Sequence, residues 1–204
     1  WLPDQTYHDS ADPDGAYAFT SPRFTPTPPP GVPVQINAAD EPDRAVADAD
    51  WGVRLATFWR SWDLSLNYLY HYDDRPVLFR TRQTGPGGAL VVIDPRYERS
   101  QLFGGSFSNA FGDLTLRGEL AYSTNRYVSV NDTADADGVV KTEELAYVIG
   151  LDWFGLSDTL ISAQFFQSRL GTGRDGLIRD TVETTGTLLL KREFLNETFT
   201  AEVL

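Results

Sequence analysis

The strongest constraint in this chain is a repeated alternation of apolar and polar residues, seen most cleanly across residues 98–124. Leu114, Leu116, Gly118, Leu120 and Tyr122 take one set of positions; Thr115, Arg117, Glu119, Ala121 and Ser123 take the other. Successive side chains of a strand point to opposite faces, so the stretch makes one apolar face and one polar, charged face. A short turn at Asn109-Ala110-Phe111-Gly112 joins it to a preceding arm of similar length. Each arm reaches the ~9–11 residues with which a tilted strand crosses a membrane.

The alternation recurs along the chain. Trp51, Val53, Leu55, Thr57 and Trp59 share a face, as do Leu64, Leu66, Tyr68, Tyr70 and Tyr72 after a turn at Arg60 to Asp63. A strand from Glu143 to Phe154 sets Leu145, Tyr147, Ile149, Leu151 and Trp153 together, and a turn from Gly155 to Asp158 leads into a return strand, Thr159 to Leu170. A further strand to Leu195 fits either register around residues 184–195, and a last one starts at Thr198. Eight strands result. Gly104 and Gly105 weaken the first arm of the central hairpin and are read as a bulge or a close approach of another segment.

The connections alternate between short and long. Turns near residues 61, 111, 156 and 196 take a few residues each. Residues 73–97, 125–142 and 171–181 are read as long loops, with a small hairpin inside the first from Val77-Leu78-Phe79 and Leu90 to Ile93. Short turns at one end and long loops at the other mark an antiparallel up-and-down transmembrane β-barrel. Trp59, Trp62, Phe111, Trp153, Phe154 and Phe194 gather at the short-turn end; Trp51, Tyr70, Tyr72, Tyr97, Tyr122 and Tyr127 gather at the other. Two such girdles form at the two membrane interfaces, whereas a soluble sandwich would concentrate its aromatics mid-strand on the inward faces.

If the termini of the barrel are periplasmic, the strand from Trp51 runs inward from outside. Residues 1–49, rich in proline and aspartate, then form an irregular extracellular loop, and residues 50–204 form the barrel strands. On this count the chain reads as a piece of a longer barrel of ten or more strands.

The polar face is expected to line the lumen. Its candidates are Arg54, Asn67, His71, Arg117, Glu119, Glu144, Asp152, Gln164, Lys191, Glu193 and Glu202, with Thr198 and Thr200 beside them. They would set selectivity as charge rings or pair with one another and stiffen the wall. No cofactor or metal is expected. The spacing from Thr133 to Gly138, with Glu144 beyond, is like a calcium loop but lacks an acidic first ligand, and Glu144 belongs to a strand.

A net charge of −12 and only two lysines, Lys141 and Lys191, argue against nucleic acid, which needs basic patches. Cysteine is absent, which removes disulfides and thiol chemistry. With His8 and His71 the only histidines and no nucleophile elbow, the chain is not read as an enzyme.

Residues 51–80, 97–127 and 144–168 resemble the bacterial outer-membrane proteins grouped as the domain of unknown function 1302 family. The resemblance covers about two thirds of the chain and none of the first 49 residues. It implies a large barrel in a Gram-negative outer membrane, a role in passage of hydrophobic or lipid-like compounds, and no catalytic residues. The expected function is a porin-like channel for small or hydrophobic solutes. The alternative is a non-conducting structural barrel that docks envelope partners or presents surface loops. Expected partners are the lipid bilayer and lipopolysaccharide, with other envelope proteins as further candidates.

Overall fold

The structure, a computed structural model, describes residues 31–204 apart from 43, 45, 87, 133, 134 and 195–197. The chain is all β. Eight strands form one antiparallel sheet: β2 (Trp51–Trp59), β3 (Trp62–Tyr72), β6 (Arg99–Phe111), β7 (Leu114–Ser129), β8 (Val139–Leu156), β9 (Thr159–Leu170), β10 (Val182–Phe194) and β11 (Phe199–Val203). Their spatial order follows the chain, and among the described residues the sheet is open, with β2 and β11 at its edges. A second sheet of three strands interrupts the run. It holds β1 (Val34–Ile36), β4 (Val77–Gly85) and β5 (Gly88–Arg96), with β1 parallel to β5.

The expected hairpin inside residues 73–97 is therefore present as β4 and β5, and the stretch before residue 50 supplies its third strand. Asn37 Nδ2 donates to Asp94 Oδ1 at 2.6 Å, just past the end of β1.

The hairpin turns are tighter than the sequence suggested. Asn109 to Phe111 continue β6, so the turn is Gly112-Asp113, with Gly112 at φ 62° in the position where a two-residue turn favours glycine. The first turn is Arg60-Ser61, and both residues take positive φ, 48° and 68°. That is the twist that matches two flanking strands.

Half of the polar loop expected over 125–142 is strand, since β7 runs to Ser129 and β8 starts at Val139. Its residues present no alternating apolar face. They are ordered by packing: the Phe79 and Tyr127 rings meet edge-on at 5.6 Å, and Arg80 N–H donates to Asp137 O at 2.7 Å. Nor do Gly104 and Gly105 mark a bulge. Gly104 pairs with Asn67 and Ala121, and Gly105 with Leu66 and Leu120, in unbroken register. The register shifts fall elsewhere, between Ser123 and Arg126 and between Trp153 and Leu156.

The buried apolar residues sit at the long-loop end. Val77, Val91, Val92, Tyr97, Val128, Val130, Val139 and Leu170 are among them. The tip after β7 and the loop after β9 are tied there by a bridge between Val130 and Leu177 and by Asn131 N–H donating to Gly176 O at 2.7 Å. The long connections thus fold into a cap with its own core.

The short-turn ends are staggered. Asp63 pairs with Ser108; Trp62, closing the first hairpin, is one residue beyond that level, while Phe111, closing the second, is three. Trp153 pairs with Leu114 and with Ile161, and β9 begins two residues further, at Thr159. Thr159 pairs with Arg192, and Phe194, at the next turn, is two residues beyond. The shift is two residues per hairpin, one per strand. At ~3.4 Å per residue and ~4.8 Å between strands, a level line of turns leans the strands by about 35°.

Candidate functional site

Paired residues in neighbouring strands share a face of the sheet, so the register sorts every side chain. Leu55, Leu66, Leu120, Ile149, Phe165 and Leu188 fall on one face with the rest of the alternating apolar set. That face is uncovered: Val53 is 56% exposed, and Leu55 and Leu66 are each 67%. Leu188 and Leu190 join it and Leu189 does not, which resolves the ambiguous register around 184–195. The Phe107 ring covers Gly118, where an added Cβ would sit 2.5 Å from the ring.

Aromatics cross this face in two lines. The lower line carries Trp59, Trp62 and Phe111 at the turns, with Trp62 packed against Phe107 and Phe111 at 6.0 Å. The upper line runs through Trp51, Tyr70, Phe103 and Tyr122, each eight residues from the turn end of its strand, at Trp59, Trp62, Phe111 and Leu114. Tyr147 continues it, once the extra residue between Trp153 and Leu156 is allowed for. The line climbs one residue per strand, the same slope as the turns. Leaned by about 35°, eight residues at ~3.4 Å set it about 22 Å above them.

Polar residues on the apolar face keep to its borders. Gln101, Thr124, Gln167, Arg169 and Thr184 lie at or above the upper line, where Tyr147 Oη donates to Gln167 Oε1 at 3.0 Å and Gln167 Nε2 to Thr184 Oγ1 at 3.1 Å. Asn109 and Arg192 lie two residues from their turn ends. This explains the poor alternation of β9: its upper half is past the apolar band.

The other face carries all eleven candidates singled out in the sequence. Arg54 pairs with Asn67, His71 with Ser100, Arg117 with Gly150 and Glu119 with Val148. Glu144 pairs with Leu170, Asp152 with Ser162, Gln164 with Thr187, Lys191 with Glu202 and Glu193 with Thr200. Between them the face carries small residues, Gly104, Ser65, Ser106, Ala121 and Ala146, with the larger Leu102, Val148 and Phe166 around them. The Ser65 and Ser106 hydroxyls meet at 2.7 Å. A hollow of about 700 Å³ opens there, and a second of about 200 Å³ lies toward the turns.

Most charges on this face are neutralised locally. Arg117 grips Asp152 with Nε to Oδ2 at 3.0 Å and Nη2 to Oδ1 at 3.3 Å. Gly150 leaves it room, since a Cβ there would come within 3.1 Å of the guanidinium stem. Arg117 does not turn to Glu119, its neighbour in sequence. Lys191 Nζ is 2.7 Å from Glu193.

Under the cap, Glu144 receives Ser168 Oγ at 2.5 Å and Arg179 Nη2 at 2.9 Å, with Arg126 Nε at 3.4 Å and Asp73 on the far side of Arg126. Sequence reasoning missed Arg126 and Arg179 because both lie in stretches read as loops. His71 sits beside this cluster's level with Nδ1 2.7 Å from Tyr72 O.

Asp135 closes its own loop, accepting from the Gly138 N–H at 2.7 Å and pairing with Arg174. Thr133 lies outside the described residues, as do His8 and residues 1–30. Glu144 is committed to the arginines rather than to that loop.

The segment before β2 is strapped to the strand ends. Arg99 reaches Ala47 O at 3.1 Å and stacks over Tyr72 at 4.0 Å; Tyr72 Oη donates to Asp48 Oδ1 at 3.1 Å. The Arg44 side chain holds the Asp48 carboxyl at about 2, below its ordinary 3.8, against the desolvation that raises it.

A family model described as a protein of unknown function (DUF1302) matches residues 4–190. The chain belongs to the DUF1302 family. The match takes in the three segments that resemble it and extends into the first 49 residues, where no motif was recognisable. No curated protein and no solved structure matches the chain. In this DUF1302 sheet, then, one face is wholly apolar over its middle third and the other holds water-accessible charges around a hollow with both small and apolar side chains.

Proposed function

We propose that the sheet is part of the wall of an outer-membrane β-barrel in a Gram-negative bacterium, and that its polar face lines a path for small or hydrophobic solutes. One observation carries this reading: the exposed apolar face is banded by two aromatic lines about 22 Å apart, on strands leaning about 35°. Membrane barrels have an apolar band of ~25 Å between aromatic girdles and strands tilted by ~35–45°. A water-soluble protein rarely leaves a contiguous apolar face of this size bare. Lipid acyl chains would cover it, with lipopolysaccharide beside the cap. Passage requires no bond-breaking chemistry, only a lumen of suitable width and polarity.

The paired charges Arg117–Asp152 and Lys191–Glu193 favour a second reading, a non-conducting wall stiffened by its own ion pairs. Conductance of the full-length protein in planar bilayers separates the two. Stepwise, salt-dependent open currents are expected; a folded, inserted protein that never conducts would favour the stiffened wall.

A further inference from the structure

Two mid-depth charges on the polar face stand apart from the ion pairs around them. Arg54 and Glu119 have no oppositely charged side chain within 4.0 Å among the described residues, whereas Arg117, Asp152, Lys191 and Glu193 are all paired. They belong to different strands, β2 and β7, yet each lies five residues from the turn end of its own strand. On strands that lean by one residue each, that is one depth, about 14 Å above the turns.

Both residues line both hollows. The larger and the smaller share Arg54, Ser106, Glu119 and Val148, so these residues mark the place where the two meet. The floor between the two charges is small and neutral: Ser65, Asn67, Gly104 and Ser106. Two long side chains of opposite charge thus reach over a low floor from opposite sides of one passage.

Two unpaired opposite charges lining the same hollow from β2 and β7, with β3 and β6 between them, create a field across it rather than along it. Such charges act on a permeating solute more strongly than ions paired with each other, whose fields cancel at short range. We propose that Arg54 and Glu119 are the charge-selecting pair of the passage, sorting small ions and favouring dipolar or zwitterionic solutes, whose acidic end would lie toward Arg54 and basic end toward Glu119. This rests on the polar face lining a conducting lumen. The neighbouring Arg117–Asp152 pair lies two residues closer to the turn on β7 and serves as an internal comparison, since its charges already cancel.

The test uses the full-length protein in planar bilayers under a potassium chloride gradient, with reversal potentials for wild type, E119Q, R54Q and D152N. Wild type is expected to conduct. E119Q should lower the cation-to-anion permeability ratio about two- to fivefold, and R54Q should raise it by a similar factor. D152N is expected to change it less than either, although it unbalances Arg117. Glycine betaine, as a zwitterionic probe, should block wild-type current more than either single variant. Conducting E119Q and R54Q channels with an unchanged permeability ratio would overturn the charge-selecting pair and leave the pore intact. A correctly inserted wild-type protein without any conductance would overturn the pore reading and this inference with it.

Discussion

Single residues decide how the two faces stay distinct. Phe107 covers Gly118 on the apolar face, so a larger residue at 118 must displace the ring. Gly118→Val is expected to cost about 1–3 kcal/mol, the usual penalty of overpacking, in urea-titrated folding into lipid vesicles. Charge tells the two faces apart more sharply. Leu120→Arg, on the apolar face at mid-band, should cost about 2–4 kcal/mol in the same assay, while Ser106→Arg on the other face should cost less than about 1. Equal penalties would mean that lipid does not cover the apolar face.

Asp48 gives a residue-scale prediction of another kind. Its carboxyl is held at about 2 by Arg44 and ordinarily titrates at 3.8, so its stabilising contacts are fully present above pH 4 and lost as pH falls through 2. Release of the strap before β2 should follow. Protease cleavage within residues 44–50 is expected to rise over that window, and Asp48→Asn should reproduce the cleavage at neutral pH.

At the scale of elements, the alternation in β2, β3, β7 and β8 was legible because a strand with one apolar and one polar face writes a period of two into its sequence. The hairpin β4–β5 was legible from its two apolar runs. The outer ends of β7 and β8 were not, because Tyr127, Val128 and Lys141 pack against the cap and need no single apolar face. The partner of Arg117 was also hidden. It depends on cross-strand register and on the gap left by Gly150, and neither is written locally. The first hairpin turn makes its own prediction. Ser61 holds φ 68°, a left-handed conformation that costs an ordinary residue about 1 kcal/mol. Ser61→Gly should leave the pairing unchanged and slow unfolding of the hairpin, read by hydrogen exchange of the Trp59 and Trp62 amides.

The whole molecule divides into a wall and a cap. The wall has little buried apolar side chain of its own, so its stability should depend on detergent or lipid, whereas the cap's core around Val91, Val128 and Val130 is closed within the protein. Tilt belongs to this scale too: it emerges only when four turns and five aromatic side chains are placed on one register. Polarised infrared spectroscopy of oriented bilayers should give strands leaning about 35–40° from the normal.

The stagger of two residues per hairpin has one more consequence. Sliding neighbouring hairpins by a single residue would invert the faces of one against the other and carry Arg117 or Glu119 onto the apolar face. Only even slips preserve the faces. With no stagger the strands would stand upright, and with four residues per hairpin they would lean about 55°. Intermediate angles are closed to it. The slant of this wall is therefore a matter of parity: it can change in steps but cannot drift, and nearly every substitution that keeps the alternation will keep the angle.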